Sequence, residues 1–257
     1  MFYSVVYAQG PREYMEDTFS ANIINKHYTL FGVYDGHGGG QVSDMLKNEI
    51  AQQLDILLKT KPDPDLYSTF NDLFSLFDQK SKRFGENVGS TSSVALVMNN
   101  RTWFANCGDS LTMVGLNNKK HKWLSVSQEH KASSEIERIE SLGGSVLNIF
   151  GMHRVNGMLN MSRSIGDHHL KPYVIANPYV TSISTKLIEF ILIASDGLWD
   201  VFTMDQVYDY LKTNITAYIF ANISKNTAVD KVMNQLIQQA YLKGSTDNIT
   251  IVYIEIE

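Results

Sequence analysis

The chain has 257 residues, with 22 Lys plus Arg against 27 Asp plus Glu, a formal charge of −5, 44% hydrophobic and 19% charged residues, and one cysteine. A chain this apolar can offset its ordering entropy, so an intrinsically disordered protein is excluded, and one cysteine excludes a disulfide scaffold. The acidic balance without a Lys/Arg cluster argues against nucleic acid as the main ligand. No apolar run reaches the roughly 18 residues of a membrane span, and the opening segment MFYSVVYAQGPREY lacks a secretory pattern. The expectation is a soluble, cytoplasmic protein with no membrane partner. At roughly 100–200 residues per domain, one large domain or two small ones are allowed. The Pro-rich break Lys59 to Leu66 is too short for a linker, so one domain over 1–257 is expected. Nothing in the chain signals an oligomer, and a monomer is expected.

In chain order, Tyr28–Tyr34 is a short apolar run closed by Asp and Gly and reads as a strand. Val42, Met45, Leu46, Ile50, Leu54, Leu57 and Leu58 recur at steps of three and four, which predicts a helix. After the Pro-containing turn, Leu66, Phe70, Leu73, Phe74 and Phe77 predict a second. Strands follow at Ser93–Met98, Arg101–Asn106 and Leu111–Leu116. Tight turns such as Asn99–Asn100 join them, which favours antiparallel pairing. Ser134 with Glu137 forms a capping-box pattern ahead of a short helix that Gly143–Gly144 stops. Phe190–Ala194 is another strand, and Thr203 with Gln206 marks another helix start. Val229, Val232, Met233, Leu236, Ile237 and Ala240 line a last helix that ends before Gly244. Ile249–Ile256 is the final strand. The expected architecture is stacked sheets with helices outside.

One pattern recurs. An apolar strand runs into an acidic residue beside glycine or another small residue, as in FGVYDGHGG (Asp35, Gly36), FILIASDG (Asp196) and FANCGDS (Asp109). Asp247 precedes the last strand in GSTDN, and Glu16 and Asp17 lie in MEDTF at the head of an early strand. A strand end holds a carboxylate rigidly, and a following glycine lets a backbone carbonyl approach a ligand. Hard divalent cations such as Mg²⁺ or Mn²⁺ take oxygen ligands of this kind. One such Asp alone reads as a turn residue or helix cap. Asp35, Asp196 and Asp247 together read as ligands that converge, since converging carboxylates repel unless a cation lies between them. Asp109 and Asp167 read as structural turn residues.

The segments REYMED (Arg12 to Asp17), VYDGHGG (Val33 to Gly39), GSTSSVAL (Gly89 to Leu96), ANCGDS (Ala105 to Ser110), SQEHK (Ser127 to Lys131), ERIESLGGSV (Glu137 to Val146), VNGMLNMSRSIGD (Val155 to Asp167), ASDGLWDV (Ala194 to Val201) and GSTDNIT (Gly244 to Thr250) follow one another along the chain. Together they resemble the PPM/PP2C family of metal-dependent Ser/Thr protein phosphatases. The resemblance implies an α+β fold, a four-layer α-β-β-α sandwich of two stacked antiparallel sheets flanked by helices. It implies two Mg²⁺ or Mn²⁺ ions in a cleft at one end. Asp35 resembles the carboxylate that bridges both ions, and the Gly36 carbonyl resembles a ligand of one of them. Asp196 and Asp247 resemble ligands of the other ion. Glu16 and Asp17 resemble the pair that holds metal-bound water or the metal, and Asn248 stands beside Asp247. Arg12 resembles the substrate-phosphate anchor and His37 the general acid. Glu129 stands where the family usually has Asp, at a position associated with a third, weaker ion, and Leu111 stands where Arg is common. Asn148 to Asn160 falls in the family's flap, which shapes substrate choice.

The implied activity is hydrolysis of phosphoserine and phosphothreonine in phosphoprotein substrates by a metal-bridged hydroxide. The chemistry is consistent on physical grounds. Two ions about 3.5–4 Å apart can activate one water and offset phosphoryl charge. Arg12 can grip phosphate as a planar fork, and His37 can protonate the departing oxygen. Cys107 lacks the basic surroundings of a reactive thiolate. Two other readings stay open at this point: a catalytically silent member of the family that binds partners, and a two-metal nuclease, against which the absent basic groove speaks.

Overall fold

The computed structural model describes residues 1–25, 28–60, 65–118, 122–126, 133–149 and 151–256. Two five-stranded sheets dominate it. The first has strands β1 (Phe2–Ala8), β15 (Ile249–Glu255), β14 (Ile188–Ala194), β8 (Leu111–Leu116) and β9 (Trp123–Ser125), in that spatial order. The second runs β13 (Tyr179–Ser184), β7 (Arg101–Cys107), β6 (Ser92–Met98), β3 (Tyr28–Tyr34) and β2 (Thr18–Asn25). Neighbouring strands pair antiparallel throughout both sheets.

The central strands are apolar on both faces, and the period of two divides their side chains between two cores. In β14, Ile191 and Ile193 point between the sheets, where they meet Phe31 and Val33 of β3, Phe104 of β7, and Val252 and Ile254 of β15. The alternate residues Phe190, Leu192 and Ala194 face outward onto α5 (Met204–Phe220) and α6 (Lys225–Leu242). On the other side, Leu30 and Tyr34 of β3 face α1 (Gln41–Thr60) and α2 (Leu66–Ser81). The layers are therefore α-β-β-α, as the resemblance implied. Each buried Leu, Ile, Val or Phe contributes roughly 1.5–3 kcal/mol, so the three cores between the layers carry most of the fold.

The helix signals hold locally. Val42, Met45, Leu46, Ile50 and Leu54 form the buried stripe of α1. Asp65 caps α2, accepting from the backbone N–H groups of Tyr67 and Ser68. Thr203 and Gln206 form a reciprocal capping box at the start of α5. α3 (Ser133–Ser141) begins two residues earlier than the capping pattern predicts, so Ser134 lies inside its first turn. The Pro-containing residues 61–64 lie outside the described part. The remaining elements are α4 (Asp196–Trp199), a hairpin of β10 (Val146–Ile149) and β11 (Met152–Val155), and a small sheet of β4 (Gly36–His37), β5 (Gly89–Ser90) and β12 (Ile165–Gly166). No helix among the described residues is long and apolar enough to cross a membrane.

The topology puts the chemistry-bearing strand ends at one edge. β3 and β7 both run antiparallel to β6, so their C-terminal ends coincide. β2 starts where β3 ends, with Thr18 paired to Tyr34. In the other sheet β14 ends where β15 begins, with Ala194 opposite Ile251. Residues 16–17, 35, 108–109, 195–196 and 247–248 flank those five ends.

Candidate metal centre

Asp35, Asp109 and Asp196 each place one carboxylate oxygen within 4.8 Å of the others. At that separation two full negative charges repel by about 3–4 kcal/mol, even at an effective dielectric constant of about 20. Three together cost on the order of 10 kcal/mol, as much as the stability of a whole domain. Two consequences follow. In the metal-free chain Asp35 and Asp196 resist ionisation: burial, then the charges of Asp17, Asp196, Asp109 and Asp247, push Asp35 well above the usual carboxylate range. Burial, then Asp109, Asp200 and Asp247, does the same to Asp196. In addition, Oδ1 of Asp109 and Oδ1 of Asp196 are buried without a hydrogen-bond partner. Such orphan oxygens are costly to bury, and a hard divalent cation takes oxygen ligands of this kind. The donor set fits such an ion.

The surrounding groups are built into the two sheets. Asp17 is buried and accepts from Ser195 Oγ at 2.7 Å; burial is the main cause that raises it to about 6. The Asp35 backbone is fixed by Thr91, whose Oγ1 accepts from Asp35 N–H at 3.0 Å and whose N–H donates to the Asp35 carbonyl at 2.9 Å. Gly36 packs so closely that a Cβ would lie 2.7 Å from both the Glu16 carbonyl and Ser43 Oγ. Asn248 joins the chain's two distant segments. Its Oδ1 accepts from Glu16 N–H at 2.8 Å, and its Nδ2 donates to the carbonyls of Gln9 at 2.7 Å and Tyr14 at 3.1 Å. The sequence reading set Asn248 beside Asp247; in the structure it is also the clamp that holds the Gln9–Glu16 loop.

A cleft of about 580 Å³ opens above the carboxylates, and Arg12, Glu16, His37, Arg154, Asp200 and Asp247 are among its lining residues. Arg12 Nη2 donates to Asp247 Oδ2 at 2.5 Å. His37 Nε2 lies 2.7 Å from Asp167 Oδ2. Burial alone would lower the His37 pKa, but the hydrogen bond and charge of Asp167, with Asp109 and Glu16, raise it above the usual histidine value. The structure thus gathers Asp35, Gly36, Asp196, Asp247, Glu16, Arg12, His37 and Asn248 around one cleft, with buried Asp17 behind it. Glu129 lies outside the described residues.

The family model for protein phosphatase 2C matches residues 3–249. The chain belongs to the protein phosphatase 2C family. Probable protein phosphatase 2C 11 of Arabidopsis thaliana is 33% identical over 97% of this chain and 65% of its own length. Protein phosphatase 2C 77 of the same plant is 36% identical over 92% of this chain and 62% of its own length. This phosphatase 2C chain therefore spans a little under two thirds of those relatives. The crystal structure of serine-threonine phosphatase 2C from Toxoplasma gondii superposes with a TM-score of 0.80 at 21% identity, covering 99% of this chain and 94% of that one. At that identity the likeness bears on the fold.

Two residues that read from the sequence as structural turns stand against groups of the phosphatase 2C site. Asp109 stands in the carboxylate cluster. Its signal was in the sequence, because FANCGDS follows the same strand-to-acid pattern as the segments of Asp35 and Asp196. Asp167 touches His37; its segment ends a strand of only two residues, β12, so hydrophobic pattern could not mark it. Cys107 is buried, and burial pushes its thiol up to about 12, in line with the absence of thiolate chemistry.

Proposed function

We propose that this chain hydrolyses phosphoserine and phosphothreonine monoesters in phosphoproteins, using Mg²⁺ or Mn²⁺. The observation that carries the proposal is the trio Asp35, Asp109 and Asp196 with its two orphan buried oxygens; of the trio, Asp35 and Asp196 line a cleft shared with Arg12 and His37. In this reading Asp35, the Gly36 carbonyl, Asp196 and Asp247 hold two ions. Asp17 and Glu16 support them, Asn248 fixes the Glu16 loop, and Glu129 serves a third, weaker ion. Bound there, the dications activate water and offset charge on the phosphoryl oxygens.

The protein's own groups do the rest. Arg12 projects from an exposed loop, so its ion pair with Asp247 is worth about 0–1 kcal/mol and yields readily to a phosphate dianion. Its guanidinium then binds two phosphoryl oxygens as a fork and orients the ester. His37 donates a proton to the seryl or threonyl oxygen as the P–O bond breaks. Water and phosphomonoester become alcohol and inorganic phosphate. The chain acts as one domain and as a monomer in the cytoplasm, on proteins rather than nucleic acid, in line with its net charge of −5.

Phosphate release from a phosphothreonine peptide tests this. The expected result is turnover with Mn²⁺ or Mg²⁺ that a chelator stops. No turnover in excess of either metal would assign the chain to silent family members, and cleavage of single-stranded DNA would assign it to nucleases.

A further inference from the structure

We propose that Asp167 is the positioning residue of His37, holding its imidazole so that Nδ1 delivers the proton to the leaving oxygen. This rests on the general-acid reading of His37. The geometry comes from the small sheet beside the cleft. β4 pairs with β5, setting His37 opposite Gly89, and β5 pairs with β12, setting Gly166 opposite the same Gly89. Asp167 follows Gly166, so the imidazole and the carboxylate meet over a residue without a side chain. A Cβ on Gly89 would collide with both His37 Nε2 and Asp167 Oδ2.

Several features hold the carboxylate in place. Asp167 is 1% exposed, whereas the His37 side chain is 24% exposed and reaches the cleft. Asp167 Oδ2 also accepts from Ser164 Oγ at 2.5 Å. The Asp167 backbone N–H donates to the Val88 carbonyl at 3.1 Å. The residue itself adopts the left-handed region, with φ 50 and ψ 45. Side chains other than Asn and Asp visit that region rarely, and unusual backbone of this kind gathers at functional sites. An imidazolium carries a proton on each ring nitrogen. With the Nε2 proton held by Asp167, the proton on Nδ1 is the one transferred. It passes to the seryl or threonyl oxygen as the P–O bond breaks. The neutral ring keeps its Nε2–H on Asp167, ready to be recharged from solvent.

The test compares Asp167→Asn, Asp167→Gly, His37→Gln and the double variant His37→Gln/Asp167→Asn, all at saturating Mn²⁺ and one pH. Asn and Gly both accept the left-handed backbone, so circular dichroism should show both folded. Two substrates are used: a phosphothreonine peptide, whose leaving oxygen needs a proton, and p-nitrophenyl phosphate, whose leaving group departs as the anion. Each Asp167 variant should lose about 10–100-fold in kcat on the peptide, the range seen for outer partners of functional histidines, and much less on the aryl ester. The double variant should lose no more than His37→Gln alone, because residues that act as a unit are not additive. Additive losses in the double variant, or equal losses of the Asp167 variants on both substrates when His37→Gln still discriminates, would overturn the proposal. If His37→Gln itself falls equally on both substrates, the general-acid reading fails. The double variant then still decides whether Asp167 acts through His37.

Discussion

Arg12 Nη2 donates to Asp247 Oδ2 at 2.5 Å, while Arg12 Nε donates to the Thr246 carbonyl at 3.2 Å. A residue near the front of the chain is thereby tied to one near its end, and the proposed phosphate anchor neutralises a proposed metal ligand. Both side chains are partly exposed, so the pair is a resting contact that substrate can displace. Arg12→Ala should reduce kcat/KM for a phosphothreonine peptide by about 10–100-fold, the worth of charge-assisted hydrogen bonds to a dianion. Arg12→Lys should recover only part, because an ammonium cannot fork onto two oxygens. Steady-state kinetics check this. Full activity in Arg12→Lys would show that charge alone suffices.

The carboxylate trio predicts opposite signs with and without metal. In metal-free protein at neutral pH, Asp109→Asn removes like-charge repulsion at Asp35 and Asp196, and Tm should rise by about 2–4 °C for each kcal/mol relieved. Mn²⁺ at about 100 times its Kd should stabilise wild type by about 2.7 kcal/mol. Asp35→Asn, Asp109→Asn and Asp196→Asn should each lose most of that gain and most turnover. Thermal melts with and without Mn²⁺ read both signs. A metal-free Tm that falls in all three variants would mean that the carboxylates support the fold directly.

Glu135 supplies a pH prediction far from the cleft. It is 2% exposed on α3, with Arg163 Nη2 at 2.7 Å and Arg138 Nη2 at 3.1 Å. Burial alone would raise it, but the hydrogen bonds and charges of Arg163 and Arg138 hold it down to about 2, against an ordinary 4.5. Its folded pKa is depressed, so its contribution is complete above the ordinary value and is lost as pH falls from about 4.5 toward 2. The difference in unfolding free energy between wild type and Glu135→Gln should therefore be about 3 kcal/mol at pH 7 and shrink toward zero near pH 2. Urea titrations across that range check it. A difference that does not change with pH would refute the ion-pair account.

Cys107 should be inert in the native protein. It is fully buried on β7 with its thiol pushed up to about 12. A thiol reagent such as Ellman's should therefore release nothing from folded protein and one equivalent after denaturation. Rapid native labelling would contradict the burial.

What the sequence made legible follows from where each segment lies. The central strands β3, β6, β14 and β15 are buried on both faces, so they read as unbroken apolar runs. β1 and β13 sit at sheet edges, with Tyr3, Tyr7 and Tyr179 exposed, and their mixed character hid them. Helices α1, α2 and α6 were plain because one face of each meets a sheet. The strand-end acids were visible as a pattern, but membership of the trio was not. Asp109 looks like any turn aspartate until β7 is seen parallel to β3 at the same edge. Asp167 depends on two-residue strands meeting at Gly89, a contact that no periodicity records.

The most direct test of the central claim is a crystal grown with saturating Mn²⁺ and measured at the manganese absorption edge. The account predicts anomalous peaks in contact with the carboxylate oxygens of Asp35 and Asp196, at about the 2.0–2.6 Å typical of hard cations and oxygen ligands. A cleft without an anomalous peak, or manganese bound elsewhere with no ion between Asp35, Asp109 and Asp196, would contradict it.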